Sequence, residues 1–181
     1  LAASLGRLLQ GFARALGMIP QVGAENVLPS IPEGGPSIVL LKRDDEVYGS
    51  FDASGLDKRT ARAVLVLKEL LGDAIDCRAT DIHIKPWVSE VQLWFRVDGL
   101  LQHDRAIDHA TGRAVVSAIK VLANMDIAER RLPQDGTFDV LSGDQRFEVR
   151  VASIPGKYGE KLAIRLLDPG GGLLRGGLSE L

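Results

Sequence analysis

A period-two alternation of apolar and polar residues recurs in five short stretches of this chain and constrains its fold more than any other feature. In Thr80 to Lys85, Ile82 and Ile84 face one way and Asp81, His83 and Lys85 the other; Val91, Leu93, Phe95 and Val97 continue the pattern. Alternation of this kind predicts strands with one buried face. With Pro86 to Ser89 as the turn, Ile84 falls opposite Val91 and Ile82 opposite Leu93. Asp98-Gly99 is a two-residue turn signal, and a third strand over 100–107 follows with a poorer pattern. Asp135-Gly136 reads as another turn, ahead of strands over 137–142, 145–153 and 160–168. Around Gly143-Asp144, Val140 pairs with Phe147 and Phe138 with Val149. The last two strands admit one register that keeps the apolar side chains together: Val149 opposite Leu166, Val151 opposite Ile164 and Ser153 opposite Leu162. That register sets Arg150 directly across from Arg165 on the other face, beside the small pair Ala152 and Ala163.

Two helices complete the body. Asp57 stands where an N-cap belongs, before a helix through Asp76 whose buried stripe is Ala63, Leu67, Leu70 and Ala74. Residues 111–125 form the second, with Val115, Ala118, Ile119, Leu122 and Met125 on its apolar side. The order helix, three strands, helix, three strands, with short hairpins, predicts an α+β fold with a mainly antiparallel sheet. Ser37 to Arg43 and Glu46 to Phe51 read as a small hairpin around Asp44 and Asp45.

Punctuation marks the flanks. Residues 1–36 hold six of the 20 glycines and four of the 8 prolines, and 169–181 hold five more glycines and Pro169, so both read as linker-like. Within 1–17, Leu5, Leu8, Leu9, Phe12 and Leu16 follow helical spacing. Such a helix suits packing on a domain better than a membrane surface, because Arg7 and Arg14 make a thin basic face. The first residue is Leu1 rather than Met, so a truncated or processed start is expected.

Composition then narrows the function. A net charge of −2 argues against a dedicated nucleic-acid binder. The single Cys77 rules out an internal disulfide framework and a cysteine-rich zinc site. No apolar run approaches the length of a membrane span, and no secretory signal is present. Phosphate-loop, nucleophile-elbow and zinc-protease motifs are all missing. His83, His103 and His109 are scattered, and the Asp81 and His83 pair on one strand face is a weak acid–base signal.

The arginines say more. There are 15 against 7 lysines. Directly opposed like charges destabilise a sheet unless something compensates. A bound phosphate or carboxylate would compensate the pair Arg150 and Arg165, since the planar guanidinium suits both. The alternative is neutralisation of a solvated face by Glu148 and Glu160. Arg130 and Arg131 read most simply as favourable charge at the end of the second helix.

Several strings are specific to a family. Asp126-Ile-Ala-Glu-Arg-Arg-Leu-Pro-Gln-Asp-Gly136 resembles the hallmark of the type II secretion and type IV pilus assembly ATPases, the GspE/PilB family. In the same order, Ala79-Thr-Asp-Ile-His-Ile-Lys-Pro86 resembles A-S-D-I-H-I-E-P, with Thr80 and Lys85 departing from it. Phe95-Arg-Val-Asp-Gly99 resembles F/Y-R-I-D-G, and Ser117 to Asp126 resembles S-R-I-K-V-M-A-N-L-D. Arg150 to Pro155, Tyr158 to Lys161 and Arg165 to Asp168 complete the set, so the resemblance covers roughly 57–168.

The resemblance implies a PAS-like domain over 57–168, an N-terminal extension over 1–56 and a Gly-rich linker over 169–181 leading to a catalytic domain that this sequence does not include. It implies a bacterial hexameric ATPase, cytoplasmic and peripheral to the inner membrane, in which this domain meets its own P-loop domain and neighbouring subunits. ATP and Mg²⁺ would be cofactors of the full-length protein, and the chain alone would bind neither and be inactive. Arg150 and Arg165 match the family's arginines that reach the nucleotide phosphates, with Arg130 and Arg131 as lesser candidates. By position, residues 1–56 would dock on an inner-membrane assembly-platform protein, although neither a docking motif nor a cyclic-dinucleotide motif stands there. The rival reading is a free-standing PAS-like sensor or adaptor for a small anion or a protein partner.

Overall fold

The computed structural model describes residues 38–48 and 58–168. The amphipathic stretch of 1–17, the cap at Asp57 and the linker of 169–181 lie outside the described residues. Strands β1 (Ile38–Leu41) and β2 (Val47–Tyr48) precede helix α1 (Lys58–Asp76). Strands β3 (Asp81–Pro86), β4 (Val91–Val97) and β5 (Leu100–Ile107) form a first meander. Helix α2 (His109–Leu122) leads into a second, β6 (Gln134–Ser142), β7 (Gln145–Ile154) and β8 (Lys161–Leu167). The fold is α+β, as the element order predicts.

All eight strands share one sheet in the order β2-β1-β6-β7-β8-β3-β4-β5, and every neighbouring pair is antiparallel. The two meanders join through β8 and β3. The expected N-terminal hairpin is present, and β1 also pairs with β6, which puts Leu40 into the common core. Both helices bury their stripes with one face of the sheet. Ala63, Leu67, Leu70 and Ala74 of α1 and Val115, Ala118, Ile119 and Leu122 of α2 cluster with Ile82, Ile84, Phe138, Val149, Val151 and Ile164. Edge strand β5 buries little, and Asp104 is the extra residue of a bulge against Leu93 and Trp94. It is tied to α1 through Arg105, whose guanidinium meets Asp73 and, at 3.7 Å, Glu69.

Four expectations are corrected. Ile84 lies opposite Leu93 and Ile82 opposite Phe95, because β3 runs on to Pro86 and the turn closes from the Trp87 amide to the Glu90 carbonyl at 2.8 Å. The shift is two residues, so the buried face is unchanged. Helix α2 starts at His109, capped by Asp108, whose carboxylate accepts the Thr111 amide at 2.9 Å and its hydroxyl at 2.6 Å. It ends at Leu122, where Asn124 takes a φ of 54° and the Met125 amide donates back to the Lys120 carbonyl. Arg130 and Arg131 therefore lie in the following loop and not in the last turn of a helix. Asp135-Gly136 is not a turn but part of β6.

The glycine serves close approach. A Cβ at Gly136 would sit 2.2 Å from the Ala123 carbonyl oxygen, so only glycine lets β6 run this near the end of α2. Gly136→Ala is expected to cost about 1–3 kcal/mol in chemical denaturation, the usual range for overpacking. A cost near zero would mean that the strand moves aside freely.

Candidate functional site

The face of the sheet away from the helices carries the candidate arginines. Register lines up one row across it: Thr137, Arg150, Arg165, Asp81, Arg96 and Leu101, one residue from each of β6, β7, β8, β3, β4 and β5. Arg150 stands opposite Arg165, and Ala152 opposite Ala163, in the register expected from the apolar matching of Val149, Val151, Ile164 and Leu166. Both arginines are exposed, Arg150 to 62% and Arg165 to 64% of the side chain.

Each guanidinium is held from one side. The Arg150 Nε donates to Glu148 Oε1 at 2.8 Å, and the Arg165 Nε donates to Asp81 Oδ1 at 2.9 Å. The Nη groups of both arginines have no partner among the described residues. Asp81 is the anchor of the row. Its side chain is only 13% exposed, it accepts the Thr80 hydroxyl at 2.8 Å, and Arg96 approaches to 3.5 Å from the other side. Three guanidinium groups against Asp81 and Glu148 leave the row positive. Fixed Nε ends and free Nη ends make a preoriented donor pair for an oxyanion.

Burial alone would raise the Asp81 carboxyl, but the hydrogen bonds from Arg165 and Thr80 outweigh it and hold the group below its ordinary 3.8. A depressed acid stabilises the fold above the unfolded value, and the contribution is lost as pH falls through the folded one. Asp81→Asn is therefore expected to cost about 0.5–1 kcal/mol at neutral pH, solvent screening of the exposed arginines keeping it small. The difference from wild type should close in melts run below pH 3.8. A pH-independent difference would show that charge plays no part.

The next row holds Asp135, Ala152, Ala163, His83, Trp94 and His103. Trp94 meets His103 edge-on at 5.0 Å between ring centroids, and the Lys85 ammonium lies 5.1 Å from the Trp94 ring centre. His83 Nε2 is buried without a hydrogen-bond partner among the described residues. Burial, and after it the neighbouring Lys85, lower the His83 pKa, which favours the neutral ring.

Glu160, expected to neutralise the arginine face, does something else. It accepts from Lys120 at 2.7 Å and from the Ser153 hydroxyl at 3.1 Å. Glu160 is 10% exposed and Lys120 only 1%. Lys120 also donates to the Glu129 carbonyl at 2.6 Å. The Gln134 amide nitrogen donates to the carbonyls of Asp126 and Glu129, both at 3.0 Å, and its oxygen accepts the Asp126 amide at 2.8 Å. The string Asp126 to Gly136 is thus a braced loop leading into β6. Arg131 pairs within it with Glu129 at 3.6 Å, and Arg130 lines a groove beside α2. Neither belongs to the row of Arg150 and Arg165.

Sequence reasoning missed the Asp81 anchor, Arg96 and the buried pair of Lys120 and Glu160, whereas Glu148 does pair with the arginine face as its alternative reading expected. Asp81 was visible as a polar residue on a strand face, but its partner lies 84 positions away, across the junction of the two meanders. Lys120 and Glu160 stood inside the family-like strings, where a charged residue amid apolar neighbours was the available signal.

The fold and site define an α+β domain that presents paired arginines on an open sheet face. The model of a family described as "Type II/IV secretion system protein" matches residues 57–176, and the chain belongs to that family. It is 37% identical over 163 residues to the type II secretion system protein E of Pseudomonas aeruginosa, covering 90% of this chain and 32% of that protein. Against the type II secretion system protein E of Klebsiella pneumoniae it is 34% identical over 86% of this chain and 29% of that protein. Against the type IV pilus assembly ATPase PilB of Myxococcus xanthus it is 34% identical over 74% of this chain and 23% of that protein. The chain thus spans a third or less of the length of these relatives. Among the described residues, no helix is long and apolar enough to cross a membrane.

Proposed function

We propose that this chain is the regulatory and assembly domain preceding the P-loop domain of a hexameric ATPase that powers type II secretion or type IV pilus assembly. In this reading Arg150 and Arg165 supply positive charge to nucleotide phosphates held by the P-loop domain, on the cytoplasmic side of the inner membrane. The observation that carries the reading is the pair of exposed guanidinium groups, each anchored at Nε by a carboxylate, with both Nη ends unpartnered among the described residues.

The residues fit phosphate. Planar Nη forks match tetrahedral oxyanions, and the small Ala152 and Ala163 beside them leave room for a bulky group. Mg²⁺-bound ATP, held by the P-loop domain, would supply the phosphoryl group transferred to water. Asp81 and Glu148 fix the direction of the two arginines, so little side-chain entropy remains to be lost when phosphate arrives. The row stabilises charge and neither moves a proton nor attacks.

The test is ATP hydrolysis by the full-length protein. Hydrolysis should be present there, absent above background from the 181-residue chain alone, and strongly reduced when either arginine becomes glutamine. Full activity with both arginines replaced would overturn the proposal.

A further inference from the structure

A second charged feature lies apart from the arginine row. Helix α2 shows one face, from Gly112 through Val116 to Lys120, to the turn at 156–160 and the loop at 127–130, and the gap between them is a cavity of about 140 Å³. It is well below the roughly 300–1,000 Å³ of pockets that enclose cofactor-sized ligands, so it suits a group the size of a side chain. Val91, Val116 and Ile127 give it apolar walls, and the Tyr158 ring lies alongside.

The charges of the lining do not balance. Its one carboxylate, Glu160, is engaged with Lys120 and Ser153. Arg113 and Arg130 also line the cavity, both are exposed, and neither guanidinium has a partner among the described residues. Arg113 is held by α2 and Arg130 by the loop that Gln134 and Lys120 brace, so the two project from fixed backbone. Free guanidinium groups over an apolar-walled cavity recognise an anion carried on a short hydrocarbon stem.

We propose that this groove is a binding site for a carboxylate on a stem of a few carbons, either the acidic side chain of a protein partner or a free dicarboxylic acid. The site is independent of the phosphate role of Arg150 and Arg165.

The test is a titration of the ¹⁵N-labelled 181-residue chain with glutarate at constant ionic strength, which keeps general screening fixed. Saturable shifts are expected at the amides of Gly112, Gly156 and Gly159, with a Kd of about 1 mM. The double variant Arg113→Gln with Arg130→Gln should weaken binding roughly tenfold or more, the loss of two charge-assisted contacts. Arg43→Gln, a charge control on the β1–β2 hairpin, should leave it unchanged. A short peptide with a central glutamate separates the sources: tighter binding than glutarate assigns the groove to a protein partner, and weaker binding assigns it to a free acid. Absence of saturable shifts at these glycines, or shifts that persist in the double variant, would overturn the proposal.

Discussion

Full-length protein carrying Arg150→Gln or Arg165→Gln is expected to hydrolyse ATP about a thousandfold more slowly, the lower end of what an arginine supplied to a transferring phosphoryl group contributes. The loss should fall on kcat, because guanidinium donors aimed at developing phosphate charge act more strongly on the transition state than on bound ATP. Arg165→Lys should recover little. An ammonium keeps the charge but loses the planar fork, and with it the Nε bond to Asp81 that sets direction. Stability should hardly move. Both arginines are more than 60% exposed, and their carboxylate partners form surface pairs, so each substitution should change unfolding free energy by less than about 0.5–1 kcal/mol. Loss of one like charge from a directly opposed pair offsets part of even that. A domain that unfolds on substitution, or a kcat reduced by less than about tenfold, would return the pair to a structural role.

Lys120→Met should do the reverse, with little direct effect on the arginine face and a large effect on folding. Breaking one side of a buried ion pair leaves the other charge without its partner and typically costs about 3–5 kcal/mol. Glu160, 10% exposed, would keep only the Ser153 hydroxyl, and the Glu129 carbonyl would lose its donor. In a domain of this size the melting temperature should fall by roughly 10–20 °C. Glu160→Gln should be milder, because a neutral amide still accepts from Lys120. The double change Lys120→Met with Glu160→Leu should recover much of the loss, since an apolar pair of similar volume removes the desolvation problem. Failure of the double variant to recover would mean that Lys120 matters through the Glu129 carbonyl and the braced loop rather than through its charge.

Much of the fold was legible because period-two patterns fix which face is buried. Of the two sheet junctions in the described fold that hairpins do not make, β8 with β3 and β1 with β6, neither was legible. Alternation says which side chains share a face but not which strand comes next when the partner is 78 or more residues away. The same limit explains the β3–β4 register. Pairing Ile84 with Val91 or with Leu93 buries the same side chains, so periodicity cannot choose, and the closure from Trp87 to Glu90 decides. Gly136 misled for a related reason. A glycine after aspartate signals a turn locally, but here the missing side chain makes room for the Ala123 carbonyl, a contact absent from the local sequence.

The sequence alone put Arg150 and Arg165 on the face away from the core, because a one-residue slip in β7 or β8 would turn Val149, Val151, Ile164 and Leu166 to the wrong face; the hydrogen-bonded register then sets the two directly opposite. The sequence also determined the family, through strings whose order and spacing are specific. What the arginines can do was decided only in three dimensions. Asp81 reaches Arg165 because the two meanders meet at β3 and β8, and Glu160 turns away from the sheet face because Lys120 is buried within reach of it. Side-chain pairing of this kind depends on distances between elements far apart in the chain, which packing of the common core sets and local pattern does not encode.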